Sequence, residues 1–279
     1  MKPVITILIV NFNSADFINV SLYSLQHLTK NNYKVFILDN NSKLKDFNKL
    51  KKICSDYKNV FLERNITPLE GSLAHGTALN YLVKKVDTPY FSILDADAVW
   101  LKKNWDAILI GKITEKVKVI GSQAPKPKPQ DFPLMFAILF ETKTFKKLSV
   151  DFRPKRIESK QDTGYDLRKK FLKKKFKGEI IVLKNTREYK KGPFKDLIVA
   201  EYYLKEDCKN LFASHFGRGS TMGVIKYTGG KGVSIIYKIP FLSKPLRYLK
   251  GTIEKKKWIK ICMDIIKKET HKKGNVHIL

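Results

Sequence analysis

The chain has 279 residues, 43% of them hydrophobic, and a formal net charge of +29. That suffices for one large domain with a substantial core, and no run of about 18 apolar residues occurs, which excludes a spanning helix. The start, Met1-Lys2-Pro3-Val4, enters a β-branched run too soon for a signal peptide.

Residues 4–10 are continuously apolar and predict a strand buried on both faces. The polar turn Asn11-Phe12-Asn13-Ser14 follows. Asn13 or Ser14 can cap a helix to about residue 28, with Phe17, Ile18, Leu22 and Leu25 on one face. Residues 33–38 predict a second strand, ending at Asp39-Asn40-Asn41-Ser42. A helix over 46–54 and a short strand over 60–62 come next. Residues 71–86 carry Leu73, Ala74, Ala78, Leu79, Leu82 and Val83 at helical spacing. Residues 90–94, set between Thr88-Pro89 and acidic residues, read as a central strand. Such alternation implies a parallel sheet with helices on its faces.

Beyond Trp100 the pattern loosens. A helix over 105–113 and a strand over 117–120 precede an exposed, non-helical loop with Pro125, Pro127, Pro129 and Pro133. A strand over 134–140 and a helix over 142–148 follow. Asp162-Thr163-Gly164-Tyr165-Asp166 opens a basic helix through 175, residues 179–183 predict a strand, and 211–220 read as a glycine-rich loop carrying His215 and Arg218. From 246 onward Leu249, Ile253, Trp258, Ile261, Cys262, Ile265 and Ile266 recur largely at three- and four-residue steps among lysines. This basic amphipathic helix suits an anionic membrane, where each lysine contributes about 1 kcal/mol. Docking of the stripe on its own domain is the competing arrangement.

Charge is distributed unevenly. Residues 1–100 hold 12 Lys and Arg against 9 Asp and Glu, a net of +3; the remainder holds 43 against 17, a net of +26. The later part therefore faces phospholipid, nucleic acid or an acidic acceptor, or is heavily solvated. Cys54, Cys208 and Cys262 are odd in number and lack metal or disulfide spacing, so they read as buried thiols in a reducing cytoplasm.

Strands one, two and four each end in polar residues: Asn11 and Asn13, Asp39 and Asn40, Asp95 and Asp97. Parallel strands deliver those ends to one rim, where ligands of open sheets bind. Asp39 can accept from a base NH or a ribose hydroxyl. The Asp95/Asp97 pair offers hard oxygen ligands to Mg²⁺ or Mn²⁺, which would neutralise a diphosphate leaving group; a turn or helix cap is the plainer reading of Asp-x-Asp. No glycine-rich phosphate cradle follows strand one, which disfavours a dinucleotide fold or ordinary NTPase.

Val10-Asn11-Phe12-Asn13, Leu38-Asp39-Asn40-Asn41-Ser42 and Ile93-Leu94-Asp95-Ala96-Asp97-Ala98, with the spacing between them, resemble family-2 glycosyltransferases of GT-A fold over about residues 1–122. The resemblance implies an α/β fold with a mostly parallel sheet flanked by helices. It also implies an inverting, hexosyltransferase-type enzyme that uses a nucleotide-diphosphate sugar and Mn²⁺ or Mg²⁺. Residues 1–122 would form the nucleotide-sugar half, 123–240 the acceptor-binding and catalytic half, and 241–279 a basic helical extension. By position, Asn11 and Asp39 would contact the base, with Asn13 and Asn40 beside them, and Asp95 the ribose or sugar; Asp97 would ligate the metal. Asn80 is assigned to the donor site on the same ground, although residues 71–80 depart from the family's usual Gly/Asn-rich pattern. His215 resembles a late metal-shell histidine and Arg218 a diphosphate ligand. An acidic residue opening a helix in the second half serves such enzymes as general base; Asp162 and then Asp166 fit, without the usual Glu-Asp pair.

The implied partners are the sugar donor and a glycan, lipid-linked or protein acceptor. The expected location is the cytoplasm, with an anionic surface at the membrane's inner face as a further partner. A sugar-nucleotide nucleotidyltransferase is the enzymatic alternative, but its glycine-rich signature loop is missing after strand one. A basic nucleic-acid-binding protein would leave the acidic strand ends unexplained and would need interleaved aromatic residues.

Overall fold

The computed structural model describes residues 2–155, 161–217 and 240–272. Its first half alternates as the sequence predicts: β1 (Ile5–Asn11), α1 (Ala15–Leu28), β2 (Tyr33–Asn40), α2 (Leu44–Cys54), β3 (Val60–Asn65), α3 (Gly71–Lys84) and β4 (Tyr90–Leu94). The second half adds β5 (Ala98–Trp100), α4 (Trp105–Gly111), β6 (Val117–Ser122), β7 (Ala137–Glu141), α5 (Thr142–Lys147), α6 (Leu167–Lys173), β8 (Lys177–Asn185), β9 (Ala200–Tyr203), β10 (Leu211–His215) and α7 (Pro240–His271).

β1 shows why its sequence is continuously apolar. Ile5, Ile7 and Ile9 enter the core on the side of α1 and α7, while Leu8 enters the core on the α3 side. A strand covered on both faces has no position for a solvated side chain. Even Thr6 is buried and pairs its hydroxyl with that of Thr88 at 2.7 Å.

The ten strands of the described residues run in the order β3-β2-β1-β4-β7-β6-β8-β9-β10-β5. β3, β2, β1 and β4 are mutually parallel. The expectation of a mostly parallel sheet stops there: β7 pairs antiparallel with β4 and β6, and β8-β9-β10-β5 are antiparallel, leaving β6–β8 as the other parallel pair. Only Asp95-Ala96-Asp97 separates β4, in mid-sheet, from β5, at the far edge. The sheet therefore curls until its last strand lies beside the end of β4.

Three local expectations need correction. Residues 211–215 are a strand rather than loop, because Phe212 and Ala213 are buried and the Ser214 hydroxyl donates to Ala200 O. The basic helix begins at Leu167, with 163–166 forming turns before it. Cys54 and Cys262 are buried, but Cys208 is exposed, and none is paired.

α7 docks on α1. Trp258 is fully buried among Phe17, Phe194 and Phe216, at ring-centroid distances of 5.6, 6.3 and 5.9 Å, and its Nε1 donates to Ser214 Oγ at 2.9 Å. Cys262 and Ile266 are buried along the same face. The amphipathic stripe is thus divided, since Leu249 and Ile253 remain exposed. No helix among the described residues is long and apolar enough to cross a membrane. Trp258→Ala should cost about 3–5 kcal/mol, the usual range for emptying a buried aromatic site. Urea unfolding checks this, and an unchanged midpoint would mean that α7 docking adds nothing to stability.

Candidate active site

The ends of β1 and β2 are joined by a buried polar knot. Asn11 Nδ2 donates to Asp39 Oδ1 at 2.7 Å and lies 3.1 Å from Ser42 Oγ and 3.3 Å from Asp46 Oδ2. Asn11 Oδ1 accepts from the Ser14 amide. Asp39 is fully buried, receives the Ser42 amide at 3.3 Å, and has Arg64 Nε at 3.5 Å. Burying a carboxylate requires such partners. Asn13, with φ +51°, accepts from the Lys43 amide at 2.9 Å. Asn40 differs from these: it accepts from Asn65 Nδ2 and also lines a cavity of about 720 Å³ beside Phe12, Leu69, His75, Asp95 and Asp97.

Asp95 and Asp97 occupy the step from β4 to β5. The Asp95 amide donates to Phe136 O at 2.8 Å, and Asp97 O accepts from the Phe216 amide at 2.9 Å, so both sides of the curled sheet hold this segment. β10 brings His215 to it: Nε2 lies 3.1 Å from Asp97 Oδ1 and 3.7 Å from Asp95 Oδ2, with the ring stacked on Phe136 at 4.3 Å. One ligand atom from each of the three lies within 4.8 Å of the others. Among the described residues, Asp95 Oδ1 is buried without a hydrogen-bond partner. Burial pushes the Asp95 carboxyl well above its ordinary range, and Asp97 and Asp162 add to the effect. An orphaned carboxylate oxygen, a second carboxylate and an imidazole fit a divalent cation, whose charge would offset this repulsion.

A second cavity, of about 300 Å³, meets the first at His75 and Asp95. Its walls include Phe132, Met135, Phe136, Asp162 and Tyr165. Burial would raise the Asp162 carboxyl, but hydrogen bonds from Ser72 Oγ and the Thr163 amide, both at 2.8 Å, and Lys128 at 3.5 Å hold it below its ordinary value. Asp162 is therefore an ionised acceptor facing the cavity. Gly164, at φ +75°, turns the chain two residues later; a side chain there would strike Met135.

Other expected site residues lie elsewhere. Asn80 donates to Asp151 Oδ1 at 2.6 Å and accepts from the Phe152 amide, in a separate groove that shares no lining residue with the first two cavities. Asp166 is buried at the start of α6, 3.6 Å from Lys170, and does not line the Asp162 cavity. Arg218 lies outside the described residues.

The sequence reading passed over Phe12 and His75. Phe12 is half-exposed at the mouth of the larger cavity. His75 stands where the cavities meet, because Gly76 lets α3 press against the backbone of Phe152 and Arg153; a Cβ at Gly76 would come within 2.7 Å of Phe152 O. Its one available signal was a lone histidine between small residues, Ala74 and Gly76, on an amphipathic helix.

Comparison with known proteins fits this arrangement. Residues 6–185 match the family described as glycosyl transferase family 2. No curated protein matches the chain. A mannosyltransferase from Pyrobaculum calidifontis, solved in complex with GDP-Man and Mn²⁺, is similar with a TM-score of 0.52 and 14% identity, over 64% of this chain and 55% of that one. For S. aureus TarS the TM-score is 0.50 and the identity 15%, over 65% of this chain and 35% of that one. The chain thus matches about half the length of the first and a third of the second. At such identities the likeness concerns the fold, which is that of GT-A glycosyltransferases.

His75 also makes stability depend on pH. Burial drives its imidazole from the ordinary 6.5 down to about 4, although Asp162 and Asp97 pull the other way. Between those values the unfolded chain binds a proton that the folded chain refuses, so stability falls as pH drops through the window, by up to about 1.4 kcal/mol per pH unit. Urea unfolding between pH 6.5 and 4.5 should show a shallower slope for His75→Gln. Equal slopes would mean that His75 protonates freely in the fold.

Proposed function

Because this chain belongs to glycosyl transferase family 2, we propose that it moves a hexosyl-type sugar, with inversion, from a nucleotide-diphosphate sugar to an acceptor hydroxyl. The observation that carries this reading is the meeting of Asp95, Asp97 and His215 with two adjoining cavities, one bordered by Asn40 and the other by Asp162. The nucleotide occupies the larger cavity. Asn40 marks its base end, with Asp39 and Asn11 buried beneath it as support, and Phe12 offers an aromatic face. Asp95, Asp97 and His215 would hold Mn²⁺ or Mg²⁺, which, when bound, neutralises charge on the diphosphate leaving group.

The acceptor enters the smaller cavity. Asp162 takes the proton of its hydroxyl as the new bond forms to the anomeric carbon; the bond to the diphosphate oxygen breaks, and the nucleoside diphosphate leaves with that electron pair. Attack from the face opposite the leaving group inverts the anomeric centre. Bonds from Ser72 and Thr163 orient the Asp162 carboxylate, and His75, neutral at pH 7, lies beside the sugar's path. The acceptor is a glycan, a lipid-linked molecule or a protein. The strongly basic second part favours an acceptor presented at an anionic surface, such as the inner face of the cytoplasmic membrane, and unpaired cysteines suit a reducing cytoplasm.

Asp97→Asn should leave the fold intact while abolishing Mn²⁺-dependent binding of UDP or GDP. Calorimetry checks it, and unchanged affinity in the variant would remove Asp97 from the metal site. For Asp162→Asn the expected outcome is a kcat lower by about 10²–10⁴-fold with nearly unchanged donor affinity, since the proton moves only in the transition state. Single-turnover kinetics on an accepted donor–acceptor pair measures this; full turnover would assign the base elsewhere.

A further inference from the structure

α7 runs parallel to α1. Lys255 Nζ donates to Asp16 Oδ2 at 2.7 Å, Trp258 packs on Phe17, and Glu269 accepts from the Lys103 amide near the far end of α1, where the Asn104 amide donates to Leu28 O. Because α1 starts just after β1 ends, it begins at the carboxyl rim of the sheet. The part of α7 from Pro240 to Ile253 comes before these contacts with the start of α1 and, at 1.5 Å per residue, continues the helix as an overhang of about 20 Å toward the carboxyl-rim side, with Gly251 buried within it.

The outer face of this helix has a distinctive order. Leu249, Ile253, Lys256, Lys260 and Lys267 follow at steps of four, three, four and seven residues, which places them along one face. All five are exposed, Leu249 at 56% and Ile253 at 46%. Tyr248, beside them, is 58% exposed. The face is apolar on the overhang and mainly basic behind it, where Asp264 interrupts the lysines. Nothing in sugar transfer or in the docking of α7 calls for exposed apolar residues here.

We propose that the α7 overhang anchors the protein to an anionic phospholipid bilayer and turns the active-site rim toward it. Leu249 and Ile253, with Tyr248, enter the headgroup region, and Lys256, Lys260 and Lys267 bind its phosphates. Charge complementarity selects this occupant: residues 101–279 carry a net of +26. Nucleic acid would satisfy the lysines but leave the apolar residues in water. A second copy would cover the apolar residues but bring two lysine rows of like sign together. This inference stands independently of the transferase reading, because binding is measured without donor or acceptor.

Flotation of the full chain with vesicles of pure phosphatidylglycerol or pure phosphatidylcholine tests it. The unaltered protein should float with the anionic vesicles, not with the neutral ones, and lose binding at high salt as screening shortens. Leu249→Ser/Ile253→Ser and Lys256→Gln/Lys260→Gln/Lys267→Gln should each lower partitioning about tenfold or more, with urea midpoints unchanged. Ile253→Ser alone replaces the double variant if that fails to fold. Failure of the unaltered protein to float, equal flotation with neutral lipid, or undiminished binding by the folded variants would overturn the proposal. So would a dimer in gel filtration that the serine variant dissociates without any change in flotation.

Discussion

The arrangement of this protein depends on the short step Asp95-Ala96-Asp97. β4 sits in mid-sheet and β5 at its far edge, yet three residues connect them. Only a curled sheet allows both, and the curl brings β10, with His215, against the carboxylates that the step displays. The same constraint concentrates unfavourable charge: Asp95 is part-buried, near Asp97 and Asp162, and keeps one oxygen without a partner among the described residues. Local stability is sacrificed where a cation would restore it, as expected of a site shaped for binding rather than for folding.

The other polar strand ends contribute differently. Asn11, Asp39, Ser42 and Arg64 hold one another, joining β1 to β2 beneath the cavity, while Asn40 and Phe12 reach its surface. Residues that look equivalent at strand ends thus divide into a support beneath the cavity and a lining of it. Which is which depends on side-chain direction, since successive residues of a strand point to opposite faces.

The carboxy-terminal helix combines two environments. Where α1 lies beside it, Trp258, Cys262 and Ile266 complete the core. On the opposite face, Leu249 and Ile253 are left in solvent. Apolar residues therefore lie on both faces of α7, one serving as core and the other as surface. Helical periodicity alone cannot say which face packs, because that is set by where α1 and β10 lie.

The sequence by itself determined the strand–helix alternation through β4, the buried central strands, and the position of Asp95 and Asp97 at a strand end, because two-residue and 3.6-residue periods and strand-end chemistry are local properties. His215 was legible through family resemblance, although its strand read as loop: five residues ending in Ser214-His215 carry too weak an alternation. Tertiary structure alone decided the antiparallel pairing of the second half, the separation of Asn80 and Asp166 from the cavities, and the arrival of His75 at their junction. Those outcomes rest on contacts between residues far apart in the chain, such as Gly76 against Phe152 and Ala98 against His215. Sequence spacing carries no record of such contacts, since they form only when separate layers pack together.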